Sequence, residues 1–378
     1  MALSQDSQAI LLLTAPLMAG RAEPSADLLT PVEYGRLTVF LHEVQQQPGG
    51  LLAADAESLI RQCQGIVDGD RLRKLLGRGF LLSQAVERWQ ARVIWVVTIA
   101  DAAYPQRLRE RLKENAPWVL YGCGDAAIAA TGGLAVVGSR NATPALLTYA
   151  EHIGQLAGHA EQTIVSGGAR GTDQTSVSGA LAAGGKVASV VADSLEQAAL
   201  NRELRSPLME GSLVLVSPYD PMAGFNVSNA LQCNKLIYAL ADAALVIGCD
   251  DRKGVTWAGA VEQLTTLRVV PVFVRSRGEL GKGLTQLQNM GALPWPNPTN
   301  KEELARVLTP EMDSVTASHH EDVASAPVPE PIPEPPAATE ARPVSTSWHS
   351  NPTKSAGTIA EPTLFDATPD VTTPKDAR

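Results

Sequence analysis

Aromatic residues are scarce: Phe, Tyr and Trp number 5, 6 and 6 in 378 residues, so any core is mainly aliphatic. Cysteine is scarcer still. Cys63, Cys123, Cys233 and Cys249 stand far apart with no Cys-x-x-Cys pair, which argues against a disulfide framework and a zinc site and reads as reduced thiols. No apolar run reaches the roughly 18–20 residues of a membrane span, and the stretch 9–13 lacks the basic flank of a signal peptide. The chain reads as cytoplasmic. Charge of one sign is not in large excess either: the net charge is −9, and residues 315–378, with nine acids and four bases, carry −5 of it. A blanket basic surface of the kind that grips duplex DNA is thereby excluded, and nucleic-acid contact must come from a local pocket of Arg and Lys.

Two phosphate signatures are missing as well, Gly-x-x-x-x-Gly-Lys-Ser/Thr and Gly-x-Gly-x-x-Gly, which disfavours ATP hydrolysis and dinucleotide chemistry. Of the six histidines, His42, His152 and His159 fall on expected helices and His319, His320 and His349 near the C-terminus, so none sits in a turn after a strand. No Ser–His pair and no metal-ligand spacing is visible. The inventory therefore points to binding rather than to an enzyme, with no cofactor and no metal.

The length implies two or three domains at about 150 residues each. Thr30-Pro31 with Glu33 reads as a capping box opening a helix, and short helical runs at 59–63, 72–76 and 85–89 suggest a small helical domain over residues 1–92. Its basic cluster, Arg71, Arg73, Lys74 and Arg78, reads as a solvated helix face in preference to a phosphate contact. From 93 the grammar changes. Buried-strand runs at 93–99, 118–121, 135–137, 163–166, 187–191, 213–216, 243–247 and 269–274 alternate, from the third onward, with helices such as 144–156, 228–240 and 257–267. That is α/β: a doubly wound, mainly parallel sheet over residues 93–312. Eleven of the 26 prolines fall between Pro327 and Pro374, so 313–378 reads as a Pro-rich disordered tail. Its one apolar spot, Leu364-Phe365, resembles short motifs that dock on replication clamps.

Parallel sheets bind ligands at the carboxyl ends of their strands, where helix N-termini offer N–H groups to anions. Two glycine turns fall there. Gly138-Ser139-Arg140 brings a bare backbone, a hydroxyl and a guanidinium; Ser166-Gly167-Gly168, followed by Arg170 and Asp173, repeats the pattern at the next strand. Asp173 is expected to cap its helix or orient Arg170. A third patch is Asn234-Lys235 on an otherwise apolar helix, and a fourth turn, Lys253-Gly254-Val255-Thr256-Trp257, opens another. There Trp257 either stacks on a base or packs on the sheet.

In order, Gly-Ser-Arg, Ser-Gly-Gly-Ala-Arg-Gly-Thr-Asp, Asn-Lys-Leu-Ile-Tyr-Ala-Leu-Ala-Asp and Lys-Gly-Val-Thr-Trp-Ala-Gly-Ala make the sequence, over about residues 90–298, resemble the DprA/Smf family of DNA-processing proteins. That family lies within the Smf/DprA–LOG superfamily of extended Rossmann-like domains. The resemblance implies single-stranded DNA in a strand-end pocket, dimerisation through the Rossmann-like domain, and delivery of the strand to a RecA-type recombinase during DNA uptake. It places phosphate-binding roles on Ser139, Arg140, Gly167, Arg170, Asn234 and Lys235. Cys233-Asn234-Lys235 stands where the family has the end of a Phe-Pro-x-Arg-Asn-Arg stretch, with Phe225 earlier in the chain, and the family's C-terminal winged helix has no counterpart. The alternative is a LOG-like nucleotide sensor or hydrolase, although Glu262 lies six residues beyond Thr256, too far to match the LOG Pro-Gly-Gly-x-Gly-Thr-x-x-Glu run.

Overall fold

Long apolar, β-branched runs with no polar alternation can only be covered on both faces, and this drives the architecture. The computed structural model describes residues 3–18 and 27–309. Among them nine strands form one sheet: β1 (Ile94–Thr98), β2 (Val119–Gly124), β3 (Leu134–Gly138), β4 (Ile164–Ser166), β5 (Val187–Val190), β6 (Leu213–Ser217), β7 (Ala243–Gly248), β8 (Val272–Val274) and β9 (Leu293–Pro294). Their order is β1-β2-β6-β5-β4-β3-β7-β8-β9. From β6 to β9 every pairing is parallel, while β1 and β2 add an antiparallel edge. Strands β3 through β7 are buried at every position, as continuous apolar runs in a doubly covered sheet should be. This is the Rossmann-like α/β fold expected.

The helices are α1 (Gln5–Thr14), α2 (Pro31–Glu43), α3 (Glu57–Gln62), α4 (Gly69–Leu76), α5 (Gly79–Ala91), α6 (Gln106–Leu112), α7 (Pro144–His159), α8 (Thr172–Ala182), α9 (Leu195–Ala199), α10 (Arg202–Met209), α11 (Val227–Leu240), α12 (Gly254–Glu262), α13 (Lys282–Asn289) and α14 (Lys301–Leu308). The Thr30 hydroxyl accepts the Glu33 N–H while the Glu33 carboxylate accepts the Thr30 N–H, closing the expected capping box at the start of α2. α1 has no counterpart in the sequence reading. Its residues Ala9 to Leu13 are all buried, so it carries no amphipathic period to betray it.

The basic cluster of α4 and α5 is not simply a solvated face. Arg71 pairs with Glu33 at 2.6 Å and Asp27 at 3.1 Å, and Arg73 with Glu57 and Asp70, each at 2.6 Å. Arg78 is buried, and its guanidinium donates to the carbonyls of Leu11, Leu12 and Ala15, capping the C-terminal end of α1. On the sheet side, Arg88 and Arg92 converge on Glu196 of α9 at 2.8 and 2.5 Å. Trp89 lies edge-on to Tyr121 of β2, with ring centroids 5.0 Å apart. All four cysteines are free thiols. No helix among the described residues is long and apolar enough to cross a membrane. The segment 313–378, Leu364 and Phe365 included, lies outside the described residues.

Candidate functional site

The chain runs from β3 to β4 on one side and later returns to lay β7 on the other, so β3 and β7 flank the topological switch point. In such sheets the crevice outside the carboxyl ends of these strands is the ligand site. The turns after β3 and β4 meet there. Gly171, between Arg170 and α8, has φ +90°, and a Cβ added to it would lie 2.6 Å from the Ser139 carbonyl oxygen and 2.7 Å from that of Arg140. Only a residue without a side chain lets the two loops touch. Thr172 completes the contact, its hydroxyl donating to the Ser139 carbonyl at 3.1 Å.

Arg140 is exposed, and its guanidinium lies 5.4 Å from the ring centroid of Phe225, in the loop after β6. Phe225 is 47% exposed, so charge and an accessible aromatic face are presented side by side. Arg170 is exposed on the neighbouring turn. The Ser139 hydroxyl is half-buried and accepts the Asn141 N–H at 3.2 Å, while Gly168 adopts φ +62°.

The other sequence-selected residues are placed differently. The Ser166 hydroxyl is buried and donates to the Val136 carbonyl at 2.7 Å, locking β4 to β3. Asn234 is buried, and its side-chain amide donates to the Val255 carbonyl at 2.9 Å, tying α11 to the first turn of α12. Lys235 pairs with Glu262 at 2.9 Å, which commits both ends of the bridge to packing α11 on α12. On the fourth turn, Lys253 is exposed, Gly254 takes φ +82°, and the Thr256 hydroxyl donates to the Gly138 carbonyl at 3.0 Å. Trp257 packs against the hydrophobic core.

Asp173 neither caps α8 nor reaches Arg170. It accepts the Gly138 N–H at 3.0 Å, and the Gly167 amide also bonds to it. Burial pushes its carboxyl up to about 7, against the pull of those amides and of Arg140. Asp193, in the turn after β5, also has a pKa raised by burial and opposed by Arg140. No glycine marks this turn in the sequence, and the signal that points to Asp193 is its place as the first acid after β5. Among the described residues no three His, Cys, Asp or Glu side chains are grouped to hold a metal ion.

A doubly wound sheet with two arginine-bearing glycine turns in contact at its switch point defines a Rossmann-like protein of the kind whose ligand sites lie at strand ends. Residues 95–304 match the sequence profile of the DNA recombination-mediator protein A family, and the chain belongs to that family. Its role accordingly lies in DNA processing. The fold is similar to that of DNA processing protein A from Streptococcus pneumoniae, with a TM-score of 0.58, 18% identity, and 81% of this chain and 98% of that chain covered. DNA processing protein A from Helicobacter pylori, described with a single-stranded DNA binding mode, aligns with a TM-score of 0.44 and 22% identity over 53% of this chain and 89% of that one. No match is found among curated sequences.

Proposed function

We propose that this chain holds single-stranded DNA at the switch-point crevice and passes it to a RecA-type recombinase, working as a homodimer. The observation that carries the reading is the contact of the two turns at Gly171, which brings the Arg140 and Arg170 turns together, with the Phe225 ring beside Arg140. Guanidinium groups take phosphates bidentately, and an exposed ring stacks on any base, which is the combination a sequence-tolerant single-strand binder needs. Membership of the recombination-mediator family supports the same reading. Ser139, Gly168 and the exposed Lys253 complete the rim, whereas Ser166, Asn234 and Lys235 act from behind it by fixing the strands and helices that carry the turns. The LOG-like alternative gains nothing from Glu262, which is held by Lys235.

The test is fluorescence anisotropy of labelled oligo-dT against a duplex of equal length at two salt concentrations. Arg140→Ala and Arg170→Ala should each weaken single-strand binding about tenfold or more, the range for losing a charge-assisted contact, and lower the salt slope by about 0.7. Lys235→Ala should cost less. Equal affinity for duplex and single strand, or full affinity in both arginine variants, would displace the site.

A further inference from the structure

The two turns close over a carboxylate. Asp173 is only 8% exposed, and it occupies the inner amides of the cradle, those of Gly138 and Gly167, which a phosphate entering a glycine turn would otherwise use. One negative charge is therefore seated there before any ligand arrives. Among the described residues no cation forms an ion pair with Asp173; Arg140 acts on it from a distance and is turned toward Phe225. From α11, Tyr238 bears on Asp173, with a buried hydroxyl that has no hydrogen-bond partner among the described residues. The remaining charged and titratable neighbours lie one step further out. Asp193 flanks Arg140, Cys233 is near Asp193, Cys249 is near Tyr238, and Lys235 is neutralised by Glu262.

We infer that Asp173 is a specificity-determining residue: it reserves the inner amides so that the cradle accepts an internal phosphodiester at its arginine rim and rejects a terminal phosphate, and seating the strand draws one proton from solvent onto it. This rests on the single-strand reading above. A phosphodiester carries one negative charge, whereas a terminal phosphate carries about −1.5 to −2 near neutrality, and a second charge beside a buried carboxylate is strongly opposed. The incoming anion favours the protonated form of the carboxyl, which burial has already brought within reach of neutral pH. On protonation one carboxylate oxygen becomes O–H and the negative charge behind the rim is lost, while Asp173 stays seated over the inner amides. The proton comes from water or buffer, and no other bond changes.

The experiment uses the full chain with oligo-dT, with and without a 5′-phosphate, from about pH 6 to about pH 8.5 at constant ionic strength, plus calorimetry in two buffers of different ionisation enthalpy. Wild-type affinity should fall as pH rises, approaching tenfold per unit, with uptake of up to one proton and no gain from the 5′-phosphate. Asp173→Asn should flatten the profile, bind about tenfold more tightly at the alkaline end, and gain from the 5′-phosphate. A flat wild-type profile without proton uptake overturns the proposal, as does an unchanged slope in a folded Asp173→Asn. Should that variant not fold, wild-type proton uptake and the 5′-phosphate comparison decide alone. Absence of oligo-dT binding at every pH would instead defeat the single-strand reading, and this proposal with it.

Discussion

At the scale of single residues, the same side-chain type serves opposite ends. Arg140 and Arg170 stand exposed, whereas Arg78 is buried, forms no ion pair among the described residues and is held by three carbonyls at the end of α1. Burial lowers its pKa, yet a guanidinium stays charged and must be satisfied by acceptors alone. Arg78→Met keeps the length of the side chain and strands those carbonyls, so stability should fall by about 2 kcal/mol, read from chemical denaturation. An unchanged midpoint would mean the cap contributes nothing. The sequence could not separate these roles, because the partners of Arg78 lie more than sixty residues away in a helix without a periodic signature. Asp173 was likewise visible as an acid near the cradle, but the amide it accepts from Gly138 is 35 residues distant in sequence, and only the fold brings it there.

At the scale of elements, the strands were legible because continuous β-branched runs bounded by glycine leave few alternatives. The capped helix α2 was legible for an equally local reason, since Thr30 and Glu33 satisfy each other within one turn. What local rules miss is how two loops meet. Nothing in Ser166-Gly167-Gly168-Ala169-Arg170-Gly171 says which glycine serves the turn's own conformation and which serves the neighbouring turn. Gly171 serves both, with a positive φ and no room for a methyl group against the Ser139 and Arg140 carbonyls. Gly171→Ala should therefore cost about 1–3 kcal/mol in stability and, in the protein that remains folded, weaken oligo-dT binding by separating the two arginines. Normal binding by a stable Gly171→Ala protein would show that the turns act independently.

At the scale of the whole molecule, the helices before residue 92 are tied to the sheet by Glu196, which takes Arg88 and Arg92 together. Burial raises the Glu196 pKa, but the two arginines more than offset it, and the net shift is downward. A carboxylate lowered in the folded state adds stability above its unfolded value near 4.3, and that stability is lost as pH falls through the folded value. Glu196→Gln should then lower the melting temperature at neutral pH, by an amount equivalent to about 1–3 kcal/mol for a partly buried pair, and converge with the wild type in acid. Scanning calorimetry should give one transition for the wild type. A second, earlier transition in the variant is expected if the boundary near residue 92 divides two folding units, and a pH-independent difference would show that the lost stability is not the ion pair's.

The backbone N–H of Met18, just after α1, donates to the Asp220 carboxylate at 3.2 Å, a contact spanning 202 residues. Translation delivers about 5–20 residues per second, so that contact closes roughly 10–40 s after Met18 is made, while α1 itself, which packs mainly on the elements from α2 to β1, waits roughly 4–17 s for β1. During that interval Ile10, Leu11, Leu12 and Leu13, all buried in the finished protein, have only part of their eventual cover. The nascent chain thus carries an apolar helix in waiting, a natural client for a ribosome-bound chaperone, and slow decoding between residues 18 and 98 should lower the yield of native protein more than slow decoding after 98.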